Sequence, residues 1–332
     1  MNIMDEILEN GYVKILSTIA LVIPFALDAL GKTDYYFIAF VIALVTILIA
    51  YYDVNKRRKL YKTEVLPIPI VISIDPNVKS KYVLDNLFSD LETKSEFKNL
   101  KKNLKRYRNI IEDDLIFDYN GDLYDKERII SFIQIIKYQV TKIKESTGNR
   151  VQFHLAYYSR PAFGFFIGYA FAQEDLVVYQ QTPDKDAFEV VANLKDRAYK
   201  GVVNEYKKFR IEIHKEDKNS ETILFAIKAS SHDIKFNSSS LEKYTNIISM
   251  IANHEGTIKD DEDWVLYARE IFTQLQALQN KYKNVILVHN MPESLAIIVG
   301  RATGNFWNTV ITQYDRGEYK EVMQLDDVKC YF

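Results

Sequence analysis

The sequence predicts an α/β fold of two similar halves, preceded by a pair of apolar helices that cross a membrane. Three observations predict it. Hydrophobic strands alternate with long amphipathic helices after residue 62, a pattern typical of α/β units. Two stretches of that region repeat one order of strand, proline, helix and strand. Residues 35–52 carry no charged side chain, which predicts a membrane-spanning helix.

Composition limits the classes of protein that the chain can represent. Its 332 residues, 48% of them hydrophobic, suffice for one large or two ordinary domains. A net charge of −2 gives no overall positive field of the kind that drives non-specific binding to duplex nucleic acid. The single cysteine, Cys330, excludes disulfides within the chain and zinc sites built from cysteines, and it indicates a reducing compartment.

The stronger membrane candidate reads YYFIAFVIALVTILIAYY, residues 35–52. As a helix rising about 1.5 Å per residue it covers roughly 27 Å, close to the ~30 Å hydrocarbon core of a bilayer. A basic stretch, residues 56–59, follows it directly. Because cytoplasmic loops carry an excess of Lys and Arg, this end of the span is expected in the cytoplasm.

Upstream, residues 13–30 form a weaker candidate, with Lys14 and Asp28 near its ends and Pro24 inside it. The connection to the next span is short, so residues 1–62 are predicted to form a two-helix hairpin and a basic linker, with the N-terminus also cytoplasmic. An acidic start argues against a signal peptide. A single span, or a buried helix of a soluble protein, stays open as an alternative.

Eight strands and two long helices are predicted along the rest of the chain, because hydrophobic residues alternate in the strands and recur at helical spacing in the helices. The predicted strands are Ile68–Asp75, Val151–Tyr158, Leu176–Gln181, Phe209–His214, Thr222–Ala229, Val285–Asn290, Asn308–Asp315 and Tyr319–Leu325. The predicted helices are Leu123–Ser146 and Asp263–Tyr282. Mostly parallel sheets follow from this alternation.

The internal repeat relates residues 151–171, followed by LVVYQQ, to residues 285–304, followed by NTVITQYD. It predicts two Rossmann-like halves, about residues 63–205 and 206–332. The alternative is that any two strand–loop–helix units look alike at this level.

Each repeat has a proline at the start of its helix, Pro161 or Pro292, and a glycine within it, Gly168 or Gly300. Proline in the first turn loses no needed hydrogen bond, and the following backbone N–H groups point outward with the positive helix end behind them. Such a helix start suits a phosphate group. The glycines are expected to pack each helix on its sheet rather than to contact a ligand.

Polar side chains follow the strand in each repeat, where ligands of parallel sheets collect. Tyrosines at this position could stack on bases. The alternative is that the tyrosines pack at a rim and that the arginine is a solvated charge. The residues are Tyr157, Tyr158, Ser159 and Arg160 in the first repeat and His289, Asn290 and Met291 in the second.

The sequence lacks the motifs of phosphate-binding loops, zinc proteases, serine hydrolases and dinucleotide-binding folds. Its five histidines are dispersed, so no metal, cofactor or catalytic residue is expected. The acidic run 260–263 is interpreted as a helix start. The basic stretch Lys94–Arg108 is interpreted as a solvated helix face, with contact to anionic lipid or to a nucleotide as the alternative.

These residues resemble a known family. WVLYAREIFTQLQ and VILVHNMPESLAIIVGRATGNFWNTVITQYDRGEY, within residues 264–319, resemble the second half of SAVED domains, the cyclic-oligonucleotide sensors of bacterial CBASS antiphage systems. Residues 157–179 resemble the other half, and residues 224–236 resemble the strand and serine-containing turn between them. The resemblance covers about residues 65–325. Its order of motifs is more specific than any one motif.

The resemblance implies an α/β fold of two fused Rossmann-like (CARF-like) halves that form a cytosolic SAVED domain over residues 63–332, preceded by a two-helix transmembrane hairpin. This is the layout of TM-SAVED effectors. It implies a protein without enzymatic activity, in the bacterial inner membrane, that binds a cyclic oligonucleotide made by a partner CD-NTase, with a cyclic trinucleotide expected. Binding would drive homo-oligomerisation, and the hairpins would disrupt the lipid bilayer in an abortive infection. A membrane-tethered ring nuclease and a passive membrane scaffold are the alternatives.

Nine residues are predicted to bind the ligand. Tyr157 and Tyr314 are expected to stack on bases, and Arg160 and Lys228 to contact phosphates. Ser159, Ser230, His289 and Asn290 are expected to form hydrogen bonds, and Tyr179 is included without an assigned role. The first repeat departs from its relatives, because its proline precedes the glycine by seven residues and not by eight.

Overall fold

The computed structural model describes residues 36–75, 77–158, 160–182, 187–195, 197–236, 238–254, 256–303 and 307–331. The chain divides into two compact units between Leu66 and Pro67, and each unit is described by itself.

The first unit contains helix α1, Tyr36–Thr63. Large apolar side chains on this helix are exposed, among them Leu48 at 57% and Ile49 at 60%. Among the helices of the described ranges, none combines the length and the apolar character required to cross a membrane. The expected first span, residues 13–30, lies outside the described residues.

The second unit contains two mixed sheets. The first sheet has the order β2-β1-β3-β4-β5, in which β1 is parallel to β2, β3 is parallel to β4, and β5 is antiparallel to β4. Its strands are β1 Leu66–Ser73, β2 Ile116–Asp118, β3 Val151–Tyr158, β4 Leu176–Thr182 and β5 Ala187–Asn193.

The second sheet has the order β11-β10-β9-β7-β8-β6. Strands β7, β8, β9 and β10 run parallel, and the outer strands β6 and β11 are antiparallel to their neighbours. Its strands are β6 Phe209–Lys215, β7 Thr222–Lys228, β8 Ile247–Ala252, β9 Asn284–Asn290, β10 Thr309–Asp315 and β11 Glu318–Gln324.

Helices connect the strands of both sheets. They are α2 Ser80–Lys94, α3 Leu100–Arg108, α4 Lys126–Thr147, α5 Pro161–Ala170, α6 Ser239–Glu242, α7 Trp264–Lys281 and α8 Glu293–Thr303. Short 3₁₀ turns occupy Glu112–Asp114, Arg197–Lys200 and Leu325–Tyr331.

Side chains of the local sequence determine where the two long helices begin. Asp125 accepts a hydrogen bond from the backbone N–H of Arg128 at the start of α4, and Asp263 accepts one from Leu266 at the start of α7. Gly148 ends α4 at φ 66°, a left-handed conformation that glycine adopts without steric cost. The acidic run before α7 is therefore confirmed as a helix start.

All eight predicted strands and both predicted helices are present, with ends displaced by at most three residues. Strands β2, β5 and β8 were missed. Strand β2 has only three residues, too few to show an alternation. The apolar run IISMIA of β8 pairs with parallel β7 on one side and antiparallel β6 on the other, and it is mostly buried, so its pattern is nearly continuous and shows no alternation.

Helices α5 and α8 pack directly against each other through the two repeat glycines. A Cβ atom on Gly168 would lie 2.1 Å from the carbonyl oxygen of Ile297, and one on Gly300 would lie 2.1 Å from that of Phe165. The expectation that these glycines pack helix on sheet is therefore corrected. They allow two helices to approach backbone to backbone, which joins the halves of the unit.

Polar contacts reinforce this junction. The hydroxyl of Ser294 in α8 donates a hydrogen bond of 2.9 Å to the carbonyl oxygen of Tyr179 in β4. Arg301, 3% exposed, donates from Nε to the hydroxyl of Tyr199 at 2.8 Å and from its NH2 nitrogen to the carbonyl oxygen of Leu194 at 3.0 Å. The second half is thus anchored to the first by a buried cation as well as by close packing.

Candidate ligand-binding cleft

The helix starts of the two repeats come together at one cleft. Arg160 immediately precedes Pro161 at the start of α5, and Glu293 follows Pro292 at the start of α8. Arg160 and Glu293 line the same cavity, whose volume is about 710 Å³. The two proline-started helices therefore share a cleft built by both halves.

The larger cavity lies mainly against the first half. Asp75 lines it just beyond β1, Tyr158 at the end of β3 and Gln181 near the end of β4. The ring of Tyr158 meets that of Phe188 edge to face, with the ring centres 5.1 Å apart. Burial raises the pKa of the Glu293 carboxyl, because removing a carboxylate from water disfavours its charge.

The smaller cavity, about 400 Å³, lies mainly against the second half. His289 and Asn290 line it at the end of β9, and Gln313 and Tyr314 line it near the end of β10. Pro161 of the first half also lines it. The two cavities therefore border consecutive residues at the start of α5, Arg160 and Pro161.

An ion pair crosses from the first half to the second beside both cavities. The Arg160 guanidinium lies 3.6 Å from a carboxylate oxygen of Asp315, and the ammonium of Lys320 lies 2.9 Å from the other oxygen. The hydrogen bond from Lys320 lowers the pKa of the Asp315 carboxyl, assisted by the charges of Lys320 and Arg160. The Arg160 side chain is 42% exposed and the Asp315 side chain 18%. Arg160 can exchange this carboxylate for an anionic ligand at modest cost, because an ion pair that solvent reaches contributes little stability.

A third cavity, about 480 Å³, opens beside the ends of β7 and β8. Lys228, Ser230 and Arg210 line it. Two contacts link its lining to that of the smaller cavity. Lys228 forms an ion pair with Asp233, and the hydroxyl of Ser230 donates a hydrogen bond to the side-chain oxygen of Asn290. Asp233 and Asn290 both line the smaller cavity.

The structure places four of the nine predicted residues in the linings of the larger and smaller cavities, namely Arg160, His289, Asn290 and Tyr314. Two others, Lys228 and Ser230, line the third cavity. Ser159 lies outside the described residues.

Tyr157 and Tyr179 are buried in the core. Tyr157 is 4% exposed and its hydroxyl donates a hydrogen bond to the carbonyl oxygen of Arg160 at 3.1 Å. Tyr179 is 2% exposed, and its hydroxyl oxygen lies 3.0 Å from Nδ1 of His154. Neither ring face is open to a base in this structure. Tyr158, the next residue along β3, lines the larger cavity instead, because successive side chains of a strand point to opposite faces.

Several cavity residues were missed by the sequence analysis. Asp75 was predicted as the last residue of a strand but was not considered as a site residue. Glu293 directly follows Pro292 and could have been found from its place at a predicted helix start. Gln313 carries no sequence signal, because it differs in no visible way from other polar residues of a strand end.

The described ranges contain no group of three or more His, Cys, Asp or Glu side chains that could hold a metal ion.

Comparison with known proteins relates this fold to one family. Residues 195–325 match the model of the SAVED family, described as the SMODS-associated and fused to various effectors sensor domain. No curated protein matches the sequence significantly.

Solved structures give a similar result. The Acinetobacter baumannii Cap4 SAVED/CARF-domain containing receptor with the cyclic trinucleotide 2'3'3'-cAAA aligns with a TM-score of 0.52 and 13% identity, over 85% of this chain and 56% of that chain. The same receptor with 3'3'3'-cAAA aligns with a TM-score of 0.46 and 12% identity, over 85% and 56%. The Moraxella osloensis Cap4 receptor gives 0.43 and 12%, over 83% and 54%. The chain thus shares the fold of the first receptor and spans a little over half its length.

Proposed function

We propose that this chain senses a cyclic oligonucleotide, with a cyclic trinucleotide as the expected ligand, in the cleft between its two halves. The observation that carries the proposal is the shared cleft: the starts of α5 and α8 meet there, at the edge where the parallel strands of both sheets end. The similarity to a receptor whose structure holds a cyclic trinucleotide supports the choice of ligand.

The chemistry of the cleft suits such a ring. Arg160 supplies a mobile cation for a phosphate next to the start of α5, where the helix dipole also favours negative charge. Tyr158 and Tyr314 supply aromatic rings in the two cavities, and such rings stack on bases. The larger cavity is in the size range of small-molecule sites.

We further propose that the sensor acts at the bacterial inner membrane. Residues 13–30 and 35–52 would form a hairpin, and the absence of charged side chains from residues 35–52 supports this role for the second segment. A messenger from a partner CD-NTase would favour a homo-oligomer, because a ligand that binds the assembled state more tightly shifts assembly toward it. Clustered hairpins would then disrupt the bilayer.

Replacing Arg160 tests the binding proposal. We expect Arg160→Ala to weaken binding of cyclic tri-adenylate by roughly 1–3 kcal/mol, the range for a charge-assisted hydrogen bond, as measured by isothermal titration calorimetry. Lys283→Ala is the control, because Lys283 is an exposed cation paired with Glu221 just before β9, at the end of that strand opposite the cleft. An unchanged affinity in Arg160→Ala would remove this arginine from the site.

Vesicles of inner-membrane lipids test the membrane proposal. We expect the full chain to release a trapped dye only when a cyclic oligonucleotide is present. The same samples, examined by mass spectrometry, should contain the intact ring, because the proposed effector has no enzymatic step. Linear product would indicate a ring nuclease, and proven binding without dye release would contradict the effector mechanism.

A further inference from the structure

The lining of the smaller cavity includes a histidine whose ring nitrogens form no hydrogen bond with the described residues. His289 is only 6% exposed, at the end of β9, and its ring packs 5.2 Å from that of Phe165. Within the described part of the chain, neither Nδ1 nor Nε2 of His289 has a hydrogen-bond partner. The backbone of Thr312 lies close enough to the ring to raise its pKa, but the contact does not have the geometry of a hydrogen bond. Buried polar atoms of native proteins nearly always have hydrogen-bond partners, so the two unpartnered nitrogens of His289 require an explanation.

Gln313, which lines the same cavity, also has a buried polar atom without a hydrogen-bond partner among the described residues. Nε2 of Gln313 donates a hydrogen bond of 3.1 Å to the carbonyl oxygen of Tyr314. This bond determines the orientation of the amide, because rotating it would bring two oxygen atoms together. Oε1 of Gln313 is therefore held as an acceptor, and it has no partner among the residues that the structure describes.

These groups are suited to a neutral polar ligand and not to a phosphate. Burial lowers the pKa of the His289 imidazole to about 4, so the ring is uncharged near neutral pH and offers one donor and one acceptor. The acceptor oxygen of Gln313 would repel a phosphate oxygen. The charged residues of this lining are of both signs, Asp233 and Lys235, while Arg160 lines the larger cavity.

We infer that the smaller cavity is the base-reading part of the cleft, in which His289 and Gln313 form hydrogen bonds with the edge of one nucleobase. Tyr314 packs against that base, and the phosphates of the ring lie toward Arg160. This inference rests on the proposed function, since it assigns a role to one part of the same cleft.

The role predicts opposite effects of one substitution on stability and on binding. His289→Phe keeps an aromatic ring against Phe165 but removes both unsatisfied nitrogens, so the melting temperature of the ligand-free protein should stay equal or rise. Affinity for the preferred ring should fall about tenfold for each hydrogen bond lost. A histidine with a purely structural role would not separate the two effects.

The binding measurements use cyclic trinucleotides that have the same linkages but carry adenine, guanine, cytosine or uracil. We expect the wild type to prefer one base, and His289→Phe and Gln313→Met each to reduce that preference about tenfold while affinity for the disfavoured rings stays within twofold. The salt dependence of binding should not change, because no phosphate contact is lost.

Two matched substitutions serve as controls. His154→Phe replaces a buried histidine that does have a partner, the hydroxyl of Tyr179, so it should lower the melting temperature and leave the base preference unchanged. Gln134→Met repeats the glutamine substitution on α4, away from the lining of either cavity.

The outcomes separate the inference from the proposed function. If no ring of any base binds the wild type, the proposed function fails. If rings bind but His289→Phe and Gln313→Met keep the wild-type base preference, or weaken all rings equally with a smaller salt dependence, the base-reading role is overturned and the sensor function stands.

Discussion

Two buried histidines, one in each half, differ in what surrounds them. His154 forms a hydrogen bond of 3.0 Å with the hydroxyl of Tyr179. His289 belongs to the lining of the smaller cavity, and its two buried nitrogens have no partner among the described residues. Burial is the largest influence on both rings and lowers each imidazole pKa to about 4. Both are therefore neutral near pH 7, but only the second is placed to contact a ligand.

These shifts predict how stability depends on pH. An unfolded histidine has a pKa of about 6.5, so between pH 6.5 and 4 the unfolded state binds protons that the folded state does not, and the free energy of unfolding falls as the pH is lowered. At pH 5 we expect a loss of about 2 kcal/mol for each histidine, relative to pH 7.

Urea unfolding at pH 7, 6 and 5 measures this effect. His289→Phe should reduce the loss between pH 7 and pH 5 by about 2 kcal/mol, because the contribution of one buried ring is gone. The same loss in His289→Phe as in the wild type would show that this ring is not buried as described.

At the scale of elements, the contact of α5 with α8 depends on the absence of side chains at two positions. Each glycine faces the backbone of the opposite helix, Gly168 toward Ile297 and Gly300 toward Phe165. This reciprocal contact places the starts of both helices next to the same cleft. The packing of the halves and the position of the site therefore have one structural origin.

Alanine substitutions of these glycines should give graded effects on stability. A Cβ 2.1 Å from a carbonyl oxygen requires the helices to separate, so Gly168→Ala and Gly300→Ala should each lower the free energy of unfolding by about 3 kcal/mol or more. At Gly164 the nearest atoms lie 3.0 Å away, and Gly164→Ala should cost clearly less. Thermal and urea unfolding measure the series, and equal effects at the three positions would contradict the close contact.

At the scale of the whole second unit, Arg301 connects the two sheets. Its guanidinium, carried by α8, contacts Tyr199 and the carbonyl oxygens of Leu194 and Glu174, which lie beside the strands of the first sheet. The same guanidinium lies over the Tyr199 ring, 5.0 Å from its centre. A planar group with several donors is needed to satisfy partners in these different directions.

Arg301→Lys should therefore destabilise the protein although it preserves the charge. The lysine ammonium has fewer donors than the guanidinium and leaves buried carbonyl and hydroxyl groups without hydrogen bonds. We expect a loss of about 2–4 kcal/mol in the free energy of unfolding, measured by urea unfolding. Arg128→Lys, on the exposed face of α4, should change it by less than about 0.5 kcal/mol. A loss in Arg301→Lys as small as that expected for Arg128→Lys would show that the arginine does not hold the halves together.

The sequence by itself determined eight of the eleven strands that the structure describes, the long helices, the two proline-started helices and the end of the sheets where the cleft opens. These features depend on alternation, helical spacing and the backbone limits of proline, which act between residues a few positions apart. Even so, neighbours such as Tyr157 and Tyr158 could not be told apart, because alternation shows that they face opposite ways and not which of them faces the cleft.

Only the tertiary structure decided which distant residues meet. It placed Gly168 against the backbone of Ile297 and paired Arg160 with Asp315. It also buried His289 in a cavity lining without a partner among the described residues. Such contacts depend on how the two halves pack, and packing depends on the shape and burial of side chains over the whole unit. The hydrophobic periodicity of the local sequence does not show these contacts.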